Sequence, residues 1–214
     1  MKIIFYMLGY NKVFYKLGDI MFICAGESEQ FVFAKSIGIG LTSSSISLTR
    51  ICLQYAPKEL IFIGSAGCYC KDWHIGDIAY SYCATQIELS FLENKTYTPI
   101  DNSIKLDFMS NVSHETLTNN WSCALEKIPQ VIVNSSNYIT KINSYNDMMI
   151  HAGITLENME FFSVLKVAQY FQIPCIGIFC VSNFVGTQAH EEFMKNHELV
   201  KIKLHDFVTK QYFK

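Results

Sequence analysis

Residues 153–186 read GITLENMEFFSVLKVAQYFQIPCIGIFCVSNFVG, and this stretch decides the fold. It resolves into three consecutive elements. Ile154 to Met159 reads as a short strand. Phe161, Val164, Leu165, Ala168 and Phe171 then recur at three- and four-residue steps, which is the signature of one buried helix face. Pro174 stops that helix. The apolar run Cys175-Ile176-Gly177-Ile178-Phe179-Cys180-Val181 follows as a fully buried strand. Two polar groups stand at the ends of these apolar elements: Glu160 at the first turn of the helix and Asn183 just past the strand. Ligands of open α/β sheets bind beyond the carboxyl ends of strands, so both residues are placed to face one crevice. Each also has a plainer reading. A glutamate in a first turn complements the helix dipole, and an asparagine after a strand makes a turn.

Upstream, Ile20 to Cys24 is an apolar run ending in Ala25-Gly26-Glu27-Ser28-Glu29, a strand leading into a small, acidic loop. Phe31 to Ile39 alternates like a strand into Gly38-Ile39-Gly40. Thr42-Ser43-Ser44-Ser45 supplies helix N-cap residues before the amphipathic run Ile46–Tyr55, which Pro57 closes. The glycines before the helix let the backbone approach a ligand closely. Leu60 to Ile63 is the next buried strand and runs into Gly64-Ser65-Ala66-Gly67. Read as a loop, these residues permit positive φ, so that N–H groups and the Ser65 hydroxyl point at an anion or a sugar.

Further along, residues 78–91 read as one long strand, and residues 92–125 as a polar, weakly periodic excursion. Val131-Ile132-Val133 leads to Asn134-Ser135-Ser136-Asn137-Tyr138. Gly153 ends a short helix. The C-terminal run from His190 to Phe213 reads as a closing helix with Phe193, Val200, Leu204, Phe207 and Val208 near one face. His190 and His197 lie seven apart on it, which fits a solvated face better than a metal site. Residues 1–20 read as a β-hairpin extension. The chain is taken as one domain over 1–214.

Half of the residues are hydrophobic and 17% are charged, which describes a globular chain with surface left for a homo-oligomer interface. A formal charge of −2 gives no electrostatic case for nucleic acid or an anionic membrane. No apolar run approaches the ~20 residues of a transmembrane helix. Eight cysteines, mostly within apolar runs, point to reduced thiols and a cytoplasmic location. Cys68 and Cys70 lack metal-site spacing, so no metal is expected. The Asn-x-Ser/Thr triplets at Asn94, Asn111, Asn120 and Asn134 mean little without a secretory signal.

In this order, the GSAG segment with Ile75-Gly76-Asp77-Ile78 after it, then Met159-Glu160-Phe161-Phe162 and Ser182-Asn183, resembles the nucleoside phosphorylase and nucleosidase superfamily. The resemblance spans about residues 32–186. It implies an α/β fold with a mixed, twisted central sheet flanked by helices, no cofactor, and cleavage of the N-ribosyl bond of purine nucleosides. By resemblance, Met159 and Glu160 hold the ribose and Asn183, beside Ser182, contacts the purine. Ser65, Ala66 and Gly67 line the substrate, and Tyr138 offers an aromatic ring to the base. Gly26, Glu27, Glu29 and Gly64 belong to the water- or phosphate-handling loops, where Glu27 or Glu29 would activate water.

The resemblance points two ways on the reaction. Asn at position 183 goes with phosphorylases of 6-oxopurine nucleosides, and it reads the base without transferring a proton. Phosphorolysis of such nucleosides, with phosphate as co-substrate, is therefore the leading expectation. Phe62, however, stands where hexameric phosphorylases carry a phosphate-binding arginine. The chain has one arginine, Arg50, within a helix. Lys35 or Lys71 would have to stand in for it. A hydrolytic nucleosidase of the methylthioadenosine/S-adenosylhomocysteine type is the alternative, and a nucleoside-binding protein without catalysis is a third.

Overall fold

The computed structural model describes residues 20–106 and 124–212; the expected hairpin at 1–20 lies outside them apart from Ile20. The strands are β1 (Ile20–Cys24), β2 (Lys35–Ser36), β3 (Glu59–Cys68), β4 (Ile78–Thr85), β5 (Ser103–Lys105), β6 (Gln130–Ser135), β7 (Ile154–Asn158) and β8 (Cys175–Phe184). The helices are α1 (Leu41–Tyr55), α2 (Leu89–Leu92), α3 (Asn146–His151), α4 (Phe161–Phe171) and α5 (Ala189–Tyr212). The strands form one mixed sheet in the order β2-β1-β3-β7-β6-β4-β5. Strand β8 pairs parallel with β3 and antiparallel with β4, closing a circuit of pairings through β7 and β6.

The period-two alternation of β3 and β8 sends side chains to two separate layers of core. Leu60, Phe62 and Phe179 pack with Leu48 and Ile51 of α1 and Val164, Leu165 and Ala168 of α4. Ile61, Ile63, Ile176 and Ile178 pack instead with Val200, Leu204 and Val208 of α5. Helices therefore cover both faces, as the sequence predicts. The Ser44 and Ser163 hydroxyls, 2.6 Å apart, tie α1 to α4.

Several expectations change. The alternating stretch Phe31–Ile39 contributes only the two paired residues of β2. Phe31 and Phe33 are buried by ring packing, Phe33 edge-on to Phe22, and not by a strand ladder. Residues 78–91 do not make one strand. The ladder ends at Thr85, and Asn134 accepts the Ile87 N–H through Oδ1 (2.8 Å) before α2 begins. Helix α1 begins at Leu41 with no Ser or Thr cap. Its Leu41 N–H donates instead to Asn137 Oδ1 (2.8 Å), a partner distant in sequence. Among the described residues no helix is long and apolar enough to cross a membrane, and no group of three or more His, Cys, Asp or Glu is placed to hold a metal ion.

Candidate functional site

A cavity of about 300 Å³ opens at the ends of β1, β3, β7 and β8 and the start of α5. Its lining brings together Gly26, Glu27, Glu29, Ser65, Ala66, Gly67, Tyr138, Met159, Glu160, Ser182 and Asn183. These are all but one of the residues that the resemblance assigns to the substrate and to the water- or phosphate-handling loops; Lys35 and Lys71 are not in the lining. Gly64 is the exception. A Cβ there would stand 2.9 Å from the Phe62 ring and 3.6 Å from Glu29 Oε2, so this glycine makes room behind the site.

Glu160 occupies the N-cap position of α4 and is 6% exposed. Its Oε1 accepts the Gly40 N–H (3.0 Å), and its Oε2 accepts Asn158 Nδ2–H and the Met159 N–H (both 3.2 Å). The close backbone approach expected of Gly38-Ile39-Gly40 is this contact, made with φ +84° at Gly40. Burial pushes the Glu160 carboxyl up to about 7, the Gly40 N–H opposes that, and the Glu29 charge adds to it.

Of the two acidic loop residues, Glu27 is exposed and Glu29 turns inward. Glu29 Oε1 accepts both the Ser65 N–H (3.2 Å) and a short hydrogen bond from the Ser65 hydroxyl. Burial raises the Glu29 carboxyl, while the two Ser65 donors and the charges of His197 and Lys201 pull it down. Ser65 thus points at a carboxylate of its own chain, not at an anion from outside. The GSAG segment is also not a loop. Gly64 to Gly67 belong to β3, and neither glycine has positive φ. What the glycines supply is a missing side chain: a Cβ on Gly67 would stand 2.9 Å from Asn183 Nδ2.

Asn183 lies inside β8 and not beyond it, because a register shift between Ala66 and Gly67 lets β3 and β8 run on together. Its Oδ1 accepts the Ser182 hydroxyl (2.7 Å) and its Nδ2–H donates to the Phe184 carbonyl (3.3 Å). Tyr138 is 77% exposed at the cavity rim and is not a core aromatic. Phe62 is fully buried, with ring centroids 5.8 Å from both Phe161 and Phe179. Arg50 is exposed on α1.

The cavity also holds residues that sequence reasoning missed: Glu157, Ile39, Ile139, His190 and Phe193. Glu157 Oε2 accepts the Tyr69 hydroxyl (2.7 Å) and the Thr140 hydroxyl (3.0 Å), and burial raises its carboxyl against these donors. Strand alternation did mark it as facing away from Ile154 and Leu156, which are buried in the core. Phe193 reads from the sequence as core but lines the cavity from the first turns of α5.

The model of the phosphorylase superfamily matches residues 13–211. A 5'-methylthioadenosine/S-adenosylhomocysteine nucleosidase of Marinomonas sp. (strain MWYL1) is 24% identical over 83% of this chain and 80% of its own. A DeoD-type purine nucleoside phosphorylase of Latilactobacillus sakei is 22% identical over 82% and 75%. Among solved structures, the Helicobacter pylori 5'-methylthioadenosine/S-adenosyl homocysteine nucleosidase superposes with a TM-score of 0.71. It is 16% identical, over 90% of this chain and 96% of that one, a likeness of fold.

Proposed function

The chain belongs to the phosphorylase superfamily, and from that premise we propose that it hydrolyses the N-ribosyl bond of purine nucleosides, as a nucleosidase of the methylthioadenosine/S-adenosylhomocysteine type. The observation that carries this reading is the Glu29–Ser65 pair in a cavity whose described lining has four glutamates, one histidine and neither lysine nor arginine. Phosphate is an anion that needs charge-assisted donors, and such a lining repels it. Water has no such requirement. The position where an arginine would serve phosphate holds Phe62, sealed among aromatic rings. This reverses the leading expectation of phosphorolysis.

In this reading Glu160 accepts hydrogen bonds from the ribose hydroxyls, and Met159 packs against the sugar. Glu29, held by Ser65, takes a proton from a water whose oxygen attacks C1′. The bond to the base breaks with its electron pair going to the purine. Positive charge growing on the sugar is stabilised by the nearby carboxylates, which is where such groups act most strongly. Asn183 offers its carboxamide N–H to N7 and stabilises the departing anion without giving up a proton. Tyr138 and Phe193 supply apolar surface for the base and the 5′ end. Every step uses side chains and water, so no cofactor is required.

The experiment is incubation with adenosine, inosine and 5′-methylthioadenosine, with and without phosphate, followed by chromatography of bases and sugars. Free ribose or methylthioribose, formed at a rate independent of phosphate, is the expected result. Ribose 1-phosphate that appears only with phosphate would overturn the hydrolytic reading.

A further inference from the structure

Gly67 of β3 pairs with Glu157 of β7 on one side and with Asn183 of β8 on the other. Directly paired residues on neighbouring strands face the same side of a sheet. Glu157 and Asn183 therefore stand on one face, with the side-chain-free Gly67 between them. Both lean inward over it. The point where a Gly67 Cβ would sit is 2.9 Å from Asn183 Nδ2 and 3.3 Å from Glu157 Cγ, so these two atoms lie within about 6 Å of each other. The result is a floor without a side chain, flanked by a carboxamide and a carboxyl, in the cavity lining.

The carboxyl is held as an acceptor. The Tyr69 hydroxyl and the Thr140 hydroxyl both donate to Oε2. A carboxylate offers about four lone-pair sites, so two donors on Oε2 leave acceptor capacity on a group that borders the cavity. A buried acceptor with spare capacity favours a ligand that brings a donor. A planar base over Gly67, with N7 towards Asn183, turns the next positions of the same edge towards Glu157.

Resting on the nucleosidase reading above, we infer that Glu157 is a specificity-determining residue that accepts an N–H from the six-membered-ring edge of the base. Two base types carry such a donor on the six-membered-ring side of N7: a 6-aminopurine through the exocyclic amine beside N7, and a 6-oxopurine through N1–H, one position beyond its O6 acceptor. Purine riboside, unsubstituted at the six-position, carries neither.

The test compares kcat/KM for adenosine, inosine and purine riboside on the wild type, Glu157→Gln, Glu157→Val and the double variant Tyr69→Phe/Glu157→Val. The double variant removes the hydroxyl that Glu157→Val would orphan, and so guards against a loss of folding. The wild type should favour adenosine or inosine over purine riboside, and the faster of the two names the donor. That preference should shrink by about 10- to 100-fold in the valine variants, the discrimination expected of one hydrogen bond to a charged group. Glu157→Gln keeps an acceptor oxygen and should restore most of it. A folded valine variant with the wild-type ratio, or a wild type indifferent to the missing donor, overturns the inference and leaves hydrolysis standing. If the wild type cleaves no nucleoside, the hydrolytic reading fails. The same ratios, taken from calorimetric dissociation constants of the three nucleosides, then decide the role of Glu157 separately.

Discussion

Replacing Glu160 with glutamine removes a carboxyl that folding takes from an ordinary value of 4.5 to about 7, chiefly by burial. The folded protein therefore binds this proton more readily than the unfolded chain does. Stability from this group is fully present below about pH 4.5. It is lost as pH rises towards 7, because the ionised form is the one burial disfavours. A shift of that size corresponds to about 3 kcal/mol at most across the window. Glutamine does not ionise, so the variant lacks this pH dependence. Relative to Glu160→Gln, the wild type should thus be more stable at pH 5 than at pH 8 by up to about 3 kcal/mol. The Glu29 charge also raises Glu160, so Glu160→Gln also relieves a repulsion that the wild type carries only at higher pH, which acts in the same direction.

Denaturant melts of both proteins at half-unit steps from pH 4.5 to 8.5 measure this difference. The absolute offset is set by other things. Glutamine has one acceptor oxygen, whereas Glu160 satisfies three N–H donors with two. Ribose hydroxyls donate to the ionised carboxyl and should pull its value back down, so nucleoside binding near pH 6.5 should release a fraction of a proton. Calorimetry in buffers of different ionisation enthalpy reads that release. A stability difference that stays flat with pH, together with binding that moves no proton, would refute this account of Glu160.

Two further outcomes follow from the same geometry. Glu29→Gln should keep nucleoside affinity but lower kcat by roughly 10³-fold or more, since in the proposed mechanism it removes the base that activates water; equal losses in binding and turnover would show that Glu29 only holds Ser65. Asn183→Asp places a second carboxyl within reach of Glu157. That should raise the acid limb of the pH–rate profile and favour adenosine over inosine, and an unmoved profile with unchanged preference would remove Asn183 from the base.

The elements legible in the sequence are those whose periodicity reports burial on a known face. The helix α4 and the buried core of β8 were readable because Val164, Leu165 and Ala168 repeat at helical steps and Cys175 to Val181 is apolar without interruption. The cavity-lining residues were readable where short segments resemble a family. The GSAG segment misled because glycine is compatible with both a turn and a strand; only the pairing of Gly64 to Gly67 with Phe179 to Asn183 distinguishes them. Glu157 was invisible for a different reason. The polar face of a strand looks the same in sequence whether it meets solvent or a cavity. What separates the two is the partner strand, and here Gly67, fixed opposite Glu157 from ninety residues earlier, leaves the floor bare. A carboxyl facing open water would have little use for two fixed donors. One held by Tyr69 and Thr140 beside a carboxamide suits the base edge inferred for it. In the proposed reading, the base side of the site is written in the pairing of β7, β3 and β8, and the sugar side in Glu160 and Glu29, each held by a backbone N–H distant in sequence.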